Sequence, residues 1–421
     1  MAARLTRSLA VNAVLAALIW VLAYLAMAPP QAATPGPEPS PSPSAGEPIG
    51  PPPGLMAELT GGYPSPDVNR QVLRELAWIL VAFAGLESFL AFALGNRPAP
   101  VRVVATLALV LLALGLLEAR TRALIAGHPT PARPDVARLW SLTPALREYP
   151  DYGEAGPFTV SSNTAGMRVD DAEGGLPPTF RPGARRVLVL GDSTAFGHGL
   201  PYRHGFAGQL DALLERTSPP WQVLNGAVPG YTVYQDWRTF ERLLPIVAPQ
   251  VVVLASNNDP EEDLMSDHDR IGATPLFMDL LYRSELYLTL SKNHKRRMLA
   301  QELDAFNRGT ALVPRVSIGE FRETLMVFSD TCGRLGIRLV IVSLPVNEPM
   351  DEGILEYRRT MKQVGQRPGT DNHFVDIQAE WPSAGRDGMY LPGDTIHPNA
   401  AGHAKIARRL KQAMQSWGWI R

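Results

Sequence analysis

The amino-acid sequence predicts a three-layer α/β/α domain with a parallel sheet in the C-terminal half of the chain, preceded by apolar helices that lie in a membrane. Apolar residues are concentrated in the first 120 positions, and from residue 185 onward short β-branched runs alternate with amphipathic stretches. With 421 residues, 45% of them hydrophobic, the chain is long enough for more than one domain. Its net charge of -1 does not predict a nucleic-acid partner.

The first apolar run, residues 9–27, follows two arginines and is long enough to cross about 30 Å of hydrocarbon as a helix. We therefore predict a transmembrane helix over residues 1–28. A cleaved signal peptide is the alternative, because Ala26-Met27-Ala28 resembles a small-residue cleavage site. The length of the run favours an uncleaved anchor.

Residues 29–70 are predicted to form a linker. Eleven prolines lie between Pro29 and Pro53, mixed with serine, glycine, alanine and glutamate. Such a composition cannot build a core and favours extended polyproline conformations.

Two further apolar runs, 76–94 and 101–117, predict a transmembrane helical hairpin within residues 71–126, of which the third span is the less clearly defined. The arginines near the N-terminus and the acidic loop after residue 29 place the N-terminus in the cytoplasm by the positive-inside rule. Three spans then place the C-terminal domain outside the cytoplasm. Arginines after the third run argue against this, and with two spans the domain would be cytoplasmic.

The C-terminal domain is predicted to cover residues 181–421, after a lead-in segment over 127–180 that packs on it. Residues 265–318 fit no core element and are predicted to be a helical insertion. Five strands are predicted at 187–190, 222–224, 251–254, 339–342 and 374–377, and helices at 206–214, 237–246, 321–332 and 401–414.

Four short polar blocks follow predicted strands. They are Gly191-Asp192-Ser193, the segment from Asn225 to Gly230, Ser256-Asn257-Asn258-Asp259, and Asp394-Thr395-Ile396-His397. The carboxyl ends of parallel strands share one edge of a sheet, so all four blocks are predicted to converge on one cleft. A serine hydroxyl is a weak nucleophile that needs an imidazole base and a group to orient that base. The blocks contain all three residue types.

This arrangement resembles the SGNH (GDSL-type) hydrolase superfamily, whose flavodoxin-like domain would cover residues 181–421. The resemblance implies that Ser193 is the nucleophile and that His397 is the base, oriented by Asp394. It also implies an oxyanion hole formed by the backbone N–H groups of Ser193 and Gly230 and by the side-chain amide of Asn258. Thr194 and Ser256 depart from the residues that are usual in the family, leucine and glycine, and the second departure puts the loop geometry in question.

These residues predict a membrane-anchored serine esterase, an O-acyl hydrolase or acyltransferase that forms an acyl-serine intermediate and uses no cofactor. The expected partners are the membrane and an O-acylated small molecule, glycan or lipid ester, with acetylated envelope glycans as the suggested substrate. The alternative is a non-catalytic glycan-binding or assembly protein. Intact Ser193, Asp394 and His397 argue against that alternative.

Other candidate residues receive a structural interpretation. His198 and His204 are interpreted as loop residues near the cleft, and His403 as a capping or packing residue. The acidic residues between Asp259 and Asp269 could bind a divalent cation, but a solvated surface is the favoured interpretation because the spacing is irregular. Cys332 is predicted to be a buried structural thiol. The segment 158–168 is predicted either to line the cleft or to pack on the sheet edge.

Overall fold

The computed structural model describes residues 66–94, 97–126, 130–153, 156–291, 312–347, 350–381 and 387–420. The predicted helix at 9–27 and most of the predicted linker lie outside the described residues. The chain divides into two compact units, one of Met1–Thr130 with Leu280–Leu299 and the other of Pro131–Asp279 with Ala300–Arg421. The second unit contains all the polar blocks singled out in the sequence.

The first unit contains two long helices, α1 (Pro66–Ala93) and α2 (Ala99–Ile125). They pack through Val72, Leu73 and Leu76 against Leu117. Within the described residues one helical segment, Val103–Ile125, is long and apolar enough to cross a membrane. The predicted span at 76–94 is helical but does not meet that criterion, so the transmembrane hairpin stays a prediction.

The end of α2 is joined to a later part of the same unit by hydrogen bonds. The Glu118 carboxylate accepts from the Ser284 hydroxyl at 2.7 Å and from the backbone N–H groups of Glu285 and Leu286, both at 3.1 Å. Residues 285–291 are helical, and the first N–H groups of a helix have no partner within it. The Glu118 carboxylate thus accepts hydrogen bonds that these N–H groups would otherwise lack.

The second unit contains twelve strands and eight helices within its described residues, with α7 continuing past Asp279 into the first unit. The strands are β1 (Ala132–Asp135), β2 (Leu139–Leu142), β3 (Tyr149–Gly153), β4 (Gly156–Ser162), β5 (Arg168–Val169), β6 (Arg185–Gly191), β7 (Trp221–Asn225), β8 (Val251–Ala255), β9 (Glu262–Asp263), β10 (Val313–Pro314), β11 (Arg338–Ser343) and β12 (Asn372–Asp376). The helices are α3 (Ser193–Phe196), α4 (Phe206–Leu214), α5 (Val233–Val247), α6 (Asp267–Ala273), α7 (Met278–Tyr282), α8 (Ile318–Leu335), α9 (Glu352–Gly365) and α10 (Ala400–Ser416).

Eight strands form the main sheet in the order β12-β11-β8-β6-β7-β5-β4-β3. The five strands from β12 to β7 are parallel, with Val187 of β6 opposite Val223 of β7 and Val251 of β8. Numbered along the chain, these five strands have the order 2-1-3-4-5, which is the flavodoxin-like arrangement. The direction of winding reverses between β6 and β8, where ligands of such sheets bind.

The sheet is mixed rather than parallel throughout, which corrects the prediction. The strands β5, β4 and β3 extend it with antiparallel pairing, starting where Arg168 lies opposite Asn225. They come from the segment 127–180, which contributes to the sheet itself. An antiparallel edge on a parallel core is common in large α/β sheets. The apolar runs of the segment 127–180 are short and do not predict these edge strands from the sequence.

Helices cover both faces of the parallel strands. Alternate residues of β6 point to opposite faces, and Leu188 and Leu190 belong to a core cluster that includes Phe240 of α5, Phe328 of α8 and Met361 of α9. On the other face, α4 packs against β7 and α10. The helix α9 is not predicted from the sequence. The bounds of the other core elements lie within four residues of the predicted ones, and those of α4 coincide with them.

Candidate active site

The turn after β6 requires glycine at position 191. Gly191 has φ 146°, and a Cβ built there would lie 2.0 Å from the carbonyl oxygen of Ala255 on the neighbouring strand β8. Backbone atoms cannot yield as a flexible side chain can, so any larger residue would force β6 and β8 apart. This close approach places Ser193 at the end of β6, beside the loop that follows β8.

Asp192 connects the two strand ends. One carboxylate oxygen accepts from the backbone N–H of Thr194 at 2.9 Å and the other from the backbone N–H of Asn257 at 2.9 Å. Burial of Asp192 raises its pKa to about 6, against the opposing effect of the N–H groups of Asn257, Thr194 and Ala195. The sequence motif thus contains a buried carboxyl group whose contacts fix the turn that carries Ser193.

Ser193, His397 and Asp394 form a continuous chain of hydrogen bonds. The Ser193 Oγ lies 2.8 Å from His397 Nε2, and His397 Nδ1 lies 2.6 Å from Asp394 Oδ2. The other carboxylate oxygen of Asp394 accepts from the backbone N–H groups of Ile396 at 2.7 Å and His397 at 2.9 Å. These bonds account for the three-residue spacing, because a tight loop places both side chains on one side.

Asp394 is ionised at neutral pH. Its partial burial raises the pKa, but the hydrogen bond with His397 and the electrostatic attraction between the two side chains, with the N–H groups of His397 and Ile396, outweigh this and lower the pKa to about 2. An ionised carboxylate that accepts from Nδ1 leaves Nε2 available to accept a proton. The arrangement can therefore activate the Ser193 hydroxyl as a nucleophile.

Gly230 and Asn258 lie in the loops that follow β7 and β8, at the same edge of the sheet. The loop after β7 is joined to the nucleophile turn by a bond from the Val228 N–H to the carbonyl of Gly191, at 3.0 Å. Gly230 has φ 75°, a conformation that glycine adopts without strain. Both residues are partly exposed.

The three other candidate histidines differ in surroundings. The His198 ring lies 4.8 Å from the His397 ring, and burial with the charges of His397 and Arg168 lowers its pKa to about 4. His204 is exposed. His403 is fully buried and accepts a hydrogen bond from the Phe206 N–H at 3.1 Å, as expected of a packing residue.

The predicted solvated surface between Asp259 and Asp269 is wrong for two of its residues. Asp259 and Asp267 are each 1% exposed, and the 2%-exposed Arg315 pairs with Asp267 at 3.0 Å and with Glu261 at 3.1 Å. Nothing near these residues in the sequence indicates an arginine partner so distant along the chain. Among the residues that the structure describes, no group of three or more His, Cys, Asp or Glu side chains is arranged to hold a metal ion.

Two further predictions concern buried side chains. Cys332 is fully buried, as predicted, and burial raises the pKa of its thiol to about 12. The segment 158–168 supplies most of β4 and the first residue of β5, and Phe158 reaches His198 at 6.0 Å between ring centres. It therefore extends the sheet and also contacts a residue beside His397.

A sequence model of the GDSL-like lipase/acylhydrolase family matches residues 189–405, just over half of the chain. No curated protein matches the chain. Solved structures with a similar fold include a lipase/acylhydrolase from Enterococcus faecalis, which is 13% identical with a TM-score of 0.39 over 56% of this chain and 97% of that one. Another is a variant of the acetyl-xylooligosaccharide esterase Axe2 from Geobacillus Stearmophilus, 18% identical with a TM-score of 0.34 over 55% of this chain and 95% of that one. The family match agrees with the prediction made from the four polar blocks, and the chain belongs to the GDSL-like lipase/acylhydrolase family.

Proposed function

We propose that the protein is a membrane-anchored serine esterase that acts on O-acyl esters through an acyl-enzyme intermediate on Ser193. The observation that carries this proposal is the hydrogen-bonded series Ser193–His397–Asp394, with donor–acceptor distances of 2.8 and 2.6 Å. Family membership supports hydrolysis of an ester, and the geometry supports serine as the attacking residue.

In the first half of the reaction, Ser193 Oγ attacks the acyl carbon while His397 Nε2 takes the hydroxyl proton. The carbonyl oxygen of the substrate becomes an oxyanion, which we assign to the N–H groups of Ser193 and Gly230 and the amide of Asn258. Donors aimed at this charge each contribute about 3 to 4 kcal/mol of transition-state stabilisation. The bond to the leaving alkoxide then breaks, and His397 returns its proton to that oxygen.

In the second half, an acceptor hydroxyl attacks the acyl-serine. His397 removes the proton of the acceptor, the acyl–Oγ bond breaks, and the proton returns to Ser193. Water as acceptor gives hydrolysis, and a sugar hydroxyl gives acyl transfer. The residues that activate the acceptor are the same in both reactions.

The proposed substrate is an acetyl ester on an envelope glycan, with the catalytic domain outside the cytoplasm. The apolar segment Val103–Ile125, which is long and apolar enough to cross a membrane, supports anchoring. A reporter enzyme fused after Arg421 that works only in the cytoplasm would contradict this location.

The test of the activity uses the full chain in detergent micelles, with p-nitrophenyl acetate and longer acyl esters as substrates. We expect Ser193→Ala to lower kcat by about 10⁴-fold to 10⁶-fold and to abolish labelling by a fluorophosphonate. The control is Ser416→Ala, whose hydroxyl bonds only to the end of its own helix, and it should behave as wild type. A folded wild-type chain that neither cleaves esters nor becomes labelled would favour the non-catalytic glycan-binding function.

A further inference from the structure

A buried arginine holds the turn that follows the nucleophile. The Arg168 side chain, in β5, donates to the carbonyl oxygens of Phe196 at 2.5 Å, Gly197 at 2.8 Å and Leu200 at 2.5 Å. Its guanidinium also lies 4.2 Å from the centre of the Phe196 ring, and the residue is 1% exposed. A planar guanidinium can direct several N–H donors at once, which a lysine ammonium cannot do in the same geometry.

We call residues 196–200 the strap. Its first part is bonded directly to the nucleophile, because the Ser193 carbonyl oxygen accepts from the N–H groups of Gly197 at 3.0 Å and His198 at 2.9 Å. A shift of the strap would therefore also shift the backbone of Ser193. Arg168 resists that shift through its three carbonyl contacts.

The strap also touches the loop that carries the base, at two points. A Cβ on Gly199 would lie 2.4 Å from Leu391 Cδ1, and the Leu391 N–H donates to the His397 carbonyl at 3.0 Å. Next to this contact, the His198 ring lies 4.8 Å from the His397 ring at an interplanar angle of 47°. The strap is thus packed against two side chains of the base loop, Leu391 and His397.

We propose that the strap is a positioning element in which His198, held in place through Arg168, packs against the His397 imidazole and keeps Nε2 aimed at Ser193 Oγ. This inference rests on the proposed function, since it concerns how the proposed base is aligned. Ser193, at the start of α3, and His397, in a loop, are 204 residues apart in the chain, so their 2.8 Å contact depends on what joins these two segments. The strap is such a junction.

The role that we assign to His198 is packing and not proton transfer. Its pKa of about 4, lowered by burial and by the nearby charges of His397 and Arg168, keeps the ring neutral at pH 7. A neutral ring can pack on His397 without repelling the imidazolium that forms during the reaction. An aromatic ring with no ionisable group should therefore replace it.

The experiment compares His198→Ala, His198→Phe and the control His204→Ala in the full chain in detergent micelles. His204 is exposed, and its hydrogen bonds within the described residues are made by its backbone, with the Pro201 carbonyl at 2.9 Å and the Gln209 side-chain amide at 2.6 Å. For each variant we would measure the rate of Ser193 labelling by a fluorophosphonate, kcat and KM for p-nitrophenyl acetate, and the melting temperature.

We expect His198→Ala to slow labelling and to lower kcat about 10-fold to 100-fold while KM changes less than about twofold, because misplacing a catalytic group by about 1 Å has an effect of this size. His198→Phe should restore both rates to within about threefold of wild type, and His204→Ala should leave them unchanged. If His198 had a purely structural role, His198→Ala would lower the melting temperature. It would not lower kcat selectively over KM, and His198→Phe would not restore kcat.

Wild-type rates in a folded His198→Ala protein would overturn the positioning role and leave the proposed function intact. A His198→Phe protein as slow as His198→Ala would also overturn it, in favour of a polar role. If His198→Ala does not fold, Gly199→Ala, which pushes Leu391 away from the strap, should give the same loss of kcat, and wild-type turnover in that variant would contradict the inference. An unreactive wild-type chain would overturn the proposed function and the positioning role with it.

Discussion

Asp394 and Asp259 lie in loops at the same edge of one sheet, yet their surroundings give them opposite charge states. Asp394 has a side chain that is 12% exposed, and its bond to His397 helps to lower its pKa to about 2. Asp259 is 1% exposed, and burial raises its pKa to about 8 despite the Val233 N–H and Arg315. The loop of Asp394 thus maintains a charged carboxylate beside His397, whereas the loop of Asp259 favours a neutral carboxyl group in the protein interior.

The comparison shows that residue type and strand-end position do not determine function at this edge. What separates the two aspartates is the number of donors around each carboxylate and its contact with solvent. Variants of both loops test whether the two carboxyl groups differ in charge state in solution.

The largest effect is expected for the ionised aspartate. Asp394→Asn should lower kcat by about 10³-fold to 10⁴-fold with little change in KM, because an amide favours the wrong tautomer of His397. Steady-state kinetics with p-nitrophenyl acetate would measure this. Activity within tenfold of wild type would mean that another group orients the base.

The next effect concerns the buried ion pairs beside Asp259. Arg315→Met would leave the Asp267 carboxylate buried without its cation, which typically reduces the free energy of unfolding by about 3 to 5 kcal/mol. Urea unfolding followed by circular dichroism would measure the loss. The matched control is Arg409→Met, which breaks an exposed pair with Glu380 and should change stability by less than about 1 kcal/mol.

A third variant, Asn258→Ala, distinguishes the role of Asn258 from that of its neighbour Asp259 in the same loop. Asn258→Ala should lower kcat by about 10²-fold to 10³-fold and leave KM within about threefold, since the lost amide acts on the oxyanion of the transition state. Its unfolding midpoint should match that of wild type. An Asn258→Ala protein with raised KM and unchanged kcat would place this side chain in substrate binding instead.

A fourth variant, Asp259→Asn, should change the dependence of stability on pH. A carboxyl group whose folded pKa is raised contributes stability below its unfolded value, near 4, and loses that contribution as the pH rises toward about 8. Asparagine cannot ionise, so the decline of the melting temperature between pH 5 and pH 8 should become shallower, with kcat unchanged. An equal decline in both proteins would show that Asp259 is not protonated in the folded state.

Asp394 should act on stability in the opposite direction. Its lowered pKa contributes stability above about pH 4, which is lost as the pH falls toward 2. Melting curves of wild type and Asp394→Asn below pH 4 should therefore converge. Curves that stay parallel down to pH 2 would argue against a bond to His397 of the strength that the geometry indicates.

The parallel core of the fold could be predicted from the sequence because each of its strands is marked by a local pattern of residues. Runs such as Val251 to Leu254 show the continuous apolar character of a strand buried on both faces, and turn residues mark where each strand ends. Once the strands are parallel, their carboxyl ends must share an edge. That geometric rule predicts from the sequence that Ser193, Asp394 and His397 lie close together.

The parts that could not be predicted depend on contacts between distant segments. Arg168 and Arg315 look like surface arginines in the sequence, and only the tertiary structure surrounds one with carbonyl oxygens and the other with carboxylates. The prediction of a solvated surface fails at Asp259 because its neighbours in the structure also come from distant parts of the chain. Charged residues are buried when a partner is present, and the sequence does not reveal a partner dozens of residues away.

The bond between Glu118 and the backbone of Glu285 and Leu286 has a practical consequence for preparing the enzyme without its apolar helices. A fragment that begins at Pro131 would retain Ser284, Glu285 and Leu286 but lose the Glu118 carboxylate that accepts from them and the helix against which Leu286 packs. The freed amide groups and the exposed leucines would be a site for proteolysis and self-association. A soluble version therefore needs a short loop in place of residues 280–299, in addition to deletion of the N-terminal helices.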